Sequence, residues 1–342
     1  MKSHFYLVLL FLFGVLFSCK KEVSQNNFGN NATEKDSLQE IQKTEEPKPI
    51  RPKTADDIVL KKELTYDKYT LEDIYPYKDT TRVFQWDKIK EKLAYIENFQ
   101  QEIAIYAVLQ NYKNKNGEAP TVKKFIRNDY TRVSDTLGVE RYQSIPLYVL
   151  GETDAPTIYG RDGSLVKLIS SDTLEKVKVE GISFNGIWDI PKQYVKVIGD
   201  SIRFNYVVFV DVTNQNTTLI ENTENKWMIR SMNPATSGVH RPPYSKETPT
   251  GMFVIQENKP KMFYYKDGTT TLEGFAPYAS RFTNGGYIHG VPTNNPKGNI
   301  IEYSATLGTV PRSHMCVRNT TSHAKFIYDR AKPLKSLVIV ID

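Results

Sequence analysis

The sequence predicts a mainly β protein with an α-helical N-terminal part. A β-sandwich-like C-terminal domain is preceded by a small β-barrel-like module. Three observations carry this. Residues 201–342 are dominated by strand-like runs, Phe204–Val212 the strongest, with few helical patterns. Residues 145–197 are short β-rich runs separated by turns. Residues 86–109, by contrast, carry apolar side chains three or four apart, the period of an amphipathic helix.

In chain order, residues 1–18 read as an export signal. Lys2 precedes an unbroken apolar run, Phe5 to Phe17, that is too short to span a bilayer. Leu16-Phe17-Ser18-Cys19 resembles the lipobox of bacterial lipoproteins, which implies acylation of Cys19 and a lipid anchor in a membrane of the cell envelope, the domains facing the periplasm; the alternative is a plain cleaved signal. Removing residues 1–18 takes Lys2 with it and lowers the formal charge from +6 to +5, with no basic stripe suited to nucleic acid. Residues 19–57 are rich in Asn, Lys, Glu, Pro and Thr. They lack the apolar surface to offset ordering entropy, so they read as a flexible tether.

Residues 58–140 form the predicted helical region. Its stripe is Trp86, Ile89, Leu93, Ile96, Phe99, Ile103, Tyr106 and Leu109, with an end near Asn116-Gly117. Thr121–Leu137 carries no clear period. Residues 141–200 are the small β module, similar to a bacterial Src-homology-3-like barrel. Tyr159–Gly163 reads as a hairpin turn before the strand Leu165–Leu168, and Trp188 as a core residue before a ligand-stacking one. In residues 201–342 the further strands are Lys226–Arg230, Met252–Ile255 and Leu337–Ile341.

The chemistry concentrates between Gly285 and Asn319. The chain has two cysteines, and with Cys19 assigned to the anchor, Cys316 is the only thiol in the folded part. No internal disulfide can form, so an exported thiol needs a purpose. A Cys with a pKa of about 8.5 is a poor nucleophile at neutral pH until an imidazole or a helix N-terminus activates it. His289 and His314 lie in the same stretch. Asn319–Arg330 reads as a helix capped by Thr320, Thr321 or Ser322, whose N-terminus would face the thiol.

Four segments in order carry a family resemblance: Val210–Gln215; Ser237-Gly238 with Glu247–Phe253; Ile288-His289-Gly290; and Ser313–Arg318. Together they resemble the L,D-transpeptidase catalytic domain of the YkuD type, over roughly residues 205–342. The resemblance implies Cys316 as nucleophile, His289 as general base, and the Gly290 carbonyl as the group that orients the ring. It implies an oxyanion hole from the N–H groups of Met315 and Cys316, a term commonly worth about 3–4 kcal/mol per donor. The implied reaction is acyl transfer on peptidoglycan stem peptides: a stem tetrapeptide loses its terminal D-Ala to form a thioester, which an amine resolves. No cofactor or metal is implied, and sensitivity to carbapenems is.

Other residues keep two readings. Arg318 is a carboxylate clamp or half of an internal ion pair; His314 touches substrate or packs beside the nucleophile. Ser313 hydrogen-bonds the turn or meets substrate, and Tyr287 lines the pocket or belongs to the core. His240 and His323 read as surface residues. Two departures from the family stand out. Met315 occupies a position usually held by Gly, which strains the turn unless its φ is negative. An enlarged loop, Val291–Thr306, lies among the 23 residues between His289 and Ser313. Competing functions are an L,D-carboxypeptidase or hydrolase that uses water, an inactive wall-binding lipoprotein, and a zinc site from His289, His314, Cys316 and His323, which lacks the usual ligand spacing.

Overall fold

The computed structural model describes residues 51–342 apart from 128–131, 140–141, 171–173 and 225. The export signal, Cys19 and the tether as far as residue 50 lie outside the described residues. At the centre is a seven-stranded sheet in the order Leu60–Lys62, Lys226–Ile229, Asn216–Thr223, Tyr206–Asp211, Ser336–Ile341 and Gly251–Val254, with Asn233–Pro234 paired to Asn216–Thr223. Tyr206–Asp211 runs antiparallel to Asn216–Thr223 and parallel to Ser336–Ile341.

Successive side chains of a strand point to opposite faces. Val207 and Phe209 therefore enter one core, with Leu93 and Ile96 of helix α1 (Trp86–Phe99). Val208 and Val210 enter another, with Phe282, Ile288, Val317 and, from helix α2 (Thr321–Arg330), Ile327. Burial on both faces is why Phe204–Val212 reads as a continuous apolar run. The second core is closed by a four-stranded sheet, Glu257–Tyr265, Leu272–Thr283, Gly286–His289 and Val317–Arg318. The two sheets give this part its sandwich-like, mainly β character.

The N-terminal part is not a helical layer. Within residues 58–140 the described residues contain one α-helix, α1, which stops at Phe99. Ile103, next in the stripe, is 88% exposed, and Tyr106–Leu109 is a strand buried at every position. A short apolar run buried on both faces cannot be told from helix by spacing alone. Thr121–Leu137 holds the short strands Ile126–Arg127 and Val133–Asp135. Leu60–Lys62 adds a parallel edge strand to the central sheet, covering an otherwise open edge. The predicted tether ends earlier than residue 57. The Lys53 N–H donates to Asn98 Oδ1 at 2.7 Å and its ammonium pairs with Glu97, so residues 51–57 are ordered by polar bonds to the end of α1 rather than by burial.

The small β module is a five-stranded antiparallel sheet: Ile187–Pro191, Lys176–Gly181, Leu165–Leu168, Tyr106–Leu109 and Val195–Gly199. Its fourth strand comes from the predicted helical stripe, so the fold does not divide at residue 141. Trp188 packs half-buried against its core. Tyr159–Gly163 is not a hairpin turn. Ile158–Gly160 pairs with Ile145–Leu147, whereas Leu165–Leu168 belongs to the five-stranded sheet. The turn carries Asp162 into the interior, where it accepts from the Asn111 N–H at 2.9 Å and Gln256 at 2.8 Å and pairs with Arg281.

Candidate active site

Gly286–His289 and Val317–Arg318 are parallel neighbours, with Ile288 opposite Val317 and His289 opposite Arg318. Alternation then puts Tyr287 and His289 on the same face as Cys316 and Arg318. That face lines a cavity of about 1560 Å³, which Ser313 and His314 also border. Strand pairing thus brings together residues that are far apart in the chain.

His289 is 3% exposed, and its Nδ1 lies 2.6 Å from the Gly290 carbonyl oxygen. A carbonyl only accepts, so Nδ1 carries the hydrogen and donates it, leaving the lone pair on Nε2. Burial pushes the imidazole down to about 4, against the pull of the Gly290 bond and with help from the Arg318 charge. At neutral pH the ring is therefore the uncharged base. The bend after it is fixed: the Gly290 N–H donates to Pro277 and the Asn319 N–H to the His289 carbonyl, both at 2.9 Å. A Cβ on residue 290 would stand 2.6 Å from Thr321 Oγ1 and 2.9 Å from Pro277 Cγ, so only glycine fits.

Cys316 is 8% exposed and packs with Ala279 and Tyr287. Its Sγ donates to the Gly285 carbonyl at 3.3 Å, and its own carbonyl accepts from the Ser313 hydroxyl. Met315 has φ +96°, so the turn keeps the left-handed backbone that glycine takes freely. A side chain there costs about 1–2 kcal/mol. The expected strain is present, and the escape through a negative φ is not. Thr248 Oγ1 donates to the Met315 carbonyl at 2.7 Å and accepts from the Gly238 N–H at 2.8 Å. Gly238 lies so close that a Cβ would be 2.7 Å from Met315 Cα. The Ser237-Gly238 and Thr248-Pro249-Thr250-Gly251 segments therefore brace the turn that carries the thiol. Sequence reading marked those segments without giving Thr248 or Gly238 a role.

The helix expected to face the thiol does not. Val317–Arg318 continues as strand, and α2 begins only at Thr321. Its first N–H groups are taken by Glu302: its carbonyl accepts from Thr321 at 2.9 Å and its carboxylate from Ser322 at 3.0 Å. Glu302 belongs to the enlarged loop, so the helix N-terminus anchors that loop. His323 is buried, not on the surface. Its Nδ1 donates to Asn319 Oδ1 at 3.0 Å, its Nε2 lies 2.9 Å from Ser231 Oγ, and burial pushes it down to about 3. With both nitrogens engaged, it leaves the zinc set. His240 is exposed and faces Glu247 at 2.7 Å.

His314 is half-exposed and donates from Nε2 to Asp267 at 2.9 Å, in the tip between Glu257–Tyr265 and Leu272–Thr283. It neither packs against the thiol's cluster nor bonds the turn. Arg318 makes no ion pair among the described residues, and its Nε is buried without a partner. Burial lowers its pKa. Tyr287 meets both of its expectations: it lines the cavity at 2% exposure, and burial, followed by its bond to Tyr112, pushes its phenol up.

The fold and this cavity define a two-sheet β domain with a neutral histidine on one strand and a cysteine just before its neighbour. Residues 205–340 match the YkuD family model, the L,D-transpeptidase catalytic domain. No curated protein matches the chain. Among solved structures, an L,D-transpeptidase from Mycobacterium smegmatis is 16% identical, with 52% of this chain and 82% of that one covered and a TM-score of 0.33. L,D-transpeptidase 3 from Mycobacterium tuberculosis, in complex with a faropenem-derived adduct, is 16% identical over 54% and 93%, with a TM-score of 0.33. A fused Zn-dependent amidase/peptidase/peptidoglycan-binding domain-containing protein from Clostridium acetobutylicum is 18% identical over 40% of this chain, with a TM-score of 0.29. The chain spans 52% of that protein's length.

Proposed function

We propose that the chain is a peptidoglycan L,D-transpeptidase that forms an acyl-thioester on Cys316. In the first step Sγ bonds the acyl carbon of a stem tetrapeptide and the C–N bond to the terminal D-Ala breaks. The thiol proton passes through His289 Nε2 to the departing amine. In the second step an acceptor amine attacks the thioester, loses its proton to His289, and the thiol reforms. The N–H groups of Met315 and Cys316 donate to the oxyanion, Arg318 clamps a substrate carboxylate with its two-pronged guanidinium, and Ser313 holds the turn. A lipid on Cys19 would keep the enzyme beside its polymer; among the described residues no helix is long and apolar enough to cross a membrane.

The observation that carries this reading is the Nδ1–H bond from His289 to Gly290, which leaves the basic Nε2 on the cavity face shared with the thiol. A base with its tautomer fixed by a third group is the Cys–His form of nucleophile activation. Intact-mass measurement tests it. Meropenem should add one molecule to the wild type and none to Cys316→Ala. If thiol reagents label Cys316 under conditions where meropenem does not, the reading fails.

A further inference from the structure

The peptide that joins Gly290 to Val291 is held at both ends, and the Cys–His pair accounts for only one of them. Its carbonyl oxygen lies 2.6 Å from His289 Nδ1. Its N–H, which belongs to Val291, donates to the Thr321 hydroxyl oxygen at 3.0 Å. A peptide group is planar and trans, so its C=O and N–H point in opposite directions and turn together. Rotating this plane away from Thr321 would also swing the acceptor away from the imidazole. The two bonds act as a single constraint.

Burial makes that constraint firm. His289, Val291 and Thr321 are all buried, so solvent does not replace a lost partner. Bonds in series also polarise one another: an N–H that donates to Thr321 leaves its carbonyl a better acceptor for Nδ1–H. Thr321 opens α2, yet its hydroxyl hydrogen goes to the enlarged loop, donated to the Ile301 carbonyl at 2.6 Å. One oxygen therefore receives from the first residue of that loop and gives to a residue near its end. Glu302 fixes this end: its carbonyl accepts from the Thr321 N–H at 2.9 Å and its carboxylate from the Ser322 N–H at 3.0 Å. The loop is thus closed at its base directly behind the group that orients His289. The fit is tight enough that a Cβ on residue 290 would stand 3.0 Å from Thr321 Cα.

The chemistry depends on this plane. A neutral imidazole side chain in water carries its hydrogen mostly on Nε2, the nitrogen that has to keep its lone pair for the thiol proton. The Gly290 carbonyl selects the other tautomer, and a triad histidine left in the wrong one loses about 10⁴ in rate. We propose that Thr321 is a positioning residue: its hydroxyl, held by Ile301 of the enlarged loop, orients the Gly290–Val291 peptide and through it fixes the tautomer and direction of the His289 ring. The enlarged loop then supports the base from outside the reacting atoms. The effect on rate rests on the acyl-transfer reading above; the effect on the ring does not.

The test compares Thr321→Val, which keeps the shape and removes the hydroxyl, with Thr321→Ser, which restores it. Two readouts are taken: the imidazole nitrogen spectrum of ¹⁵N-labelled protein, with His289 assigned by its loss in His289→Gln, and meropenem acylation followed by intact mass. Wild type and Thr321→Ser should show the Nδ1–H tautomer, and Thr321→Val a mixture with Nε2–H. Thr321 acts one bond further out than the orienting group, so Thr321→Val should lower the maximal acylation rate by about tenfold rather than 10⁴. The half-saturating meropenem concentration should stay within about twofold, because the contacts that bind the ligand remain. Glu302→Ala, at an exposed position, frees the Ile301 end while leaving Thr321 in place and should cost a smaller factor, about threefold. It carries the test if Thr321→Val does not fold, and a full acylation rate there overturns the loop's part. A Thr321→Val protein that keeps the pure Nδ1–H tautomer, or acylates as fast as wild type, overturns the proposal. A wild type that takes up no meropenem, while Thr321→Val still loses the tautomer, overturns acyl transfer and leaves the orientation of the ring by Thr321 standing.

Discussion

The hydroxyl of Thr248 donates to the carbonyl of Met315 at 2.7 Å, and that bond braces a turn whose φ of +96° would suit glycine. Two opposing costs decide what substitution does there. At most positions Ala is better than Gly by about 0.5–1 kcal/mol. At this φ a Cβ costs about 1–2 kcal/mol, which reverses the order. Met315→Gly should therefore be at least as stable as Met315→Ala, and more stable by up to about 1.5 kcal/mol. Both should fall below wild type, because each removes a buried side chain worth about 2–5 kcal/mol. Urea denaturation of the three proteins checks the order; Ala clearly above Gly would mean that the backbone at 315 is relaxed.

Thr248→Val keeps the shape and removes the hydroxyl. It leaves the Met315 carbonyl and the Gly238 N–H without their shared partner, at a cost of about 1–3 kcal/mol. The same carbonyl precedes the Cys316 amide, so a turn freed of its brace would misalign the proposed oxyanion donor. Acylation should slow by about tenfold or more. Meropenem adduct formation followed over time measures this, and an unchanged rate would separate Thr248 from the chemistry.

In the proposed mechanism His289 acts as a base, so its titration should appear in the rate. Burial holds it at about 4, well below the ordinary imidazole range. The acid limb of kcat/KM for acylation is expected near pH 4, with the rate insensitive to His289 protonation around pH 6.5. A limb at 6.5 would place the histidine in water rather than in the buried position it occupies.

The strands were legible where burial leaves an unmistakable pattern. Phe204–Val212 and Leu337–Ile341 are apolar throughout because both of their faces are covered, and the central sheet follows from them. Cys316 and His289 were legible through the residues around them. What sequence could not show depends on pairing across distance. Tyr106 and Leu109 fit a helical stripe but pair with strands nearly sixty and ninety residues away, Leu165–Leu168 and Val195–Gly199. Nothing near His323 in the chain announces that Ser231 will close over it. Glu302 reads as a polar loop residue until α2 is seen to begin against it.

His323 also makes stability depend on pH. Its folded pKa is pushed down to about 3 and that of His289 to about 4, both below the unfolded value near 6.5. Below pH 6.5 the unfolded chain takes up protons that the folded one refuses, so the unfolded state gains. The stabilisation is complete above pH 6.5 and is lost as pH falls toward 4 and then 3, by up to about 1.4 kcal/mol per pH unit for each histidine. His323→Gln should roughly halve that slope between pH 6 and 4.5. Urea midpoints across this window provide the measurement, and an unchanged slope would remove His323 from the account.

The Asp162–Arg281 pair ties the small β module to the catalytic sheet, and both partners are buried. Burial pushes the Asp162 carboxyl up while Arg281, Gln256 and the Asn111 N–H pull it down. Arg281→Met removes the balancing charge and leaves a carboxylate without its counterion in the interior, at a cost of about 3–5 kcal/mol. A buried pair replaced on both sides is far less costly than one broken on one side. Asp162→Asn/Arg281→Met should therefore recover much of the loss, because Asn can still accept from the Asn111 N–H. Urea unfolding of the single and double variants gives the coupling directly. A double variant no more stable than Arg281→Met alone would mean that the guanidinium matters for its place over the Tyr112 ring rather than for its charge.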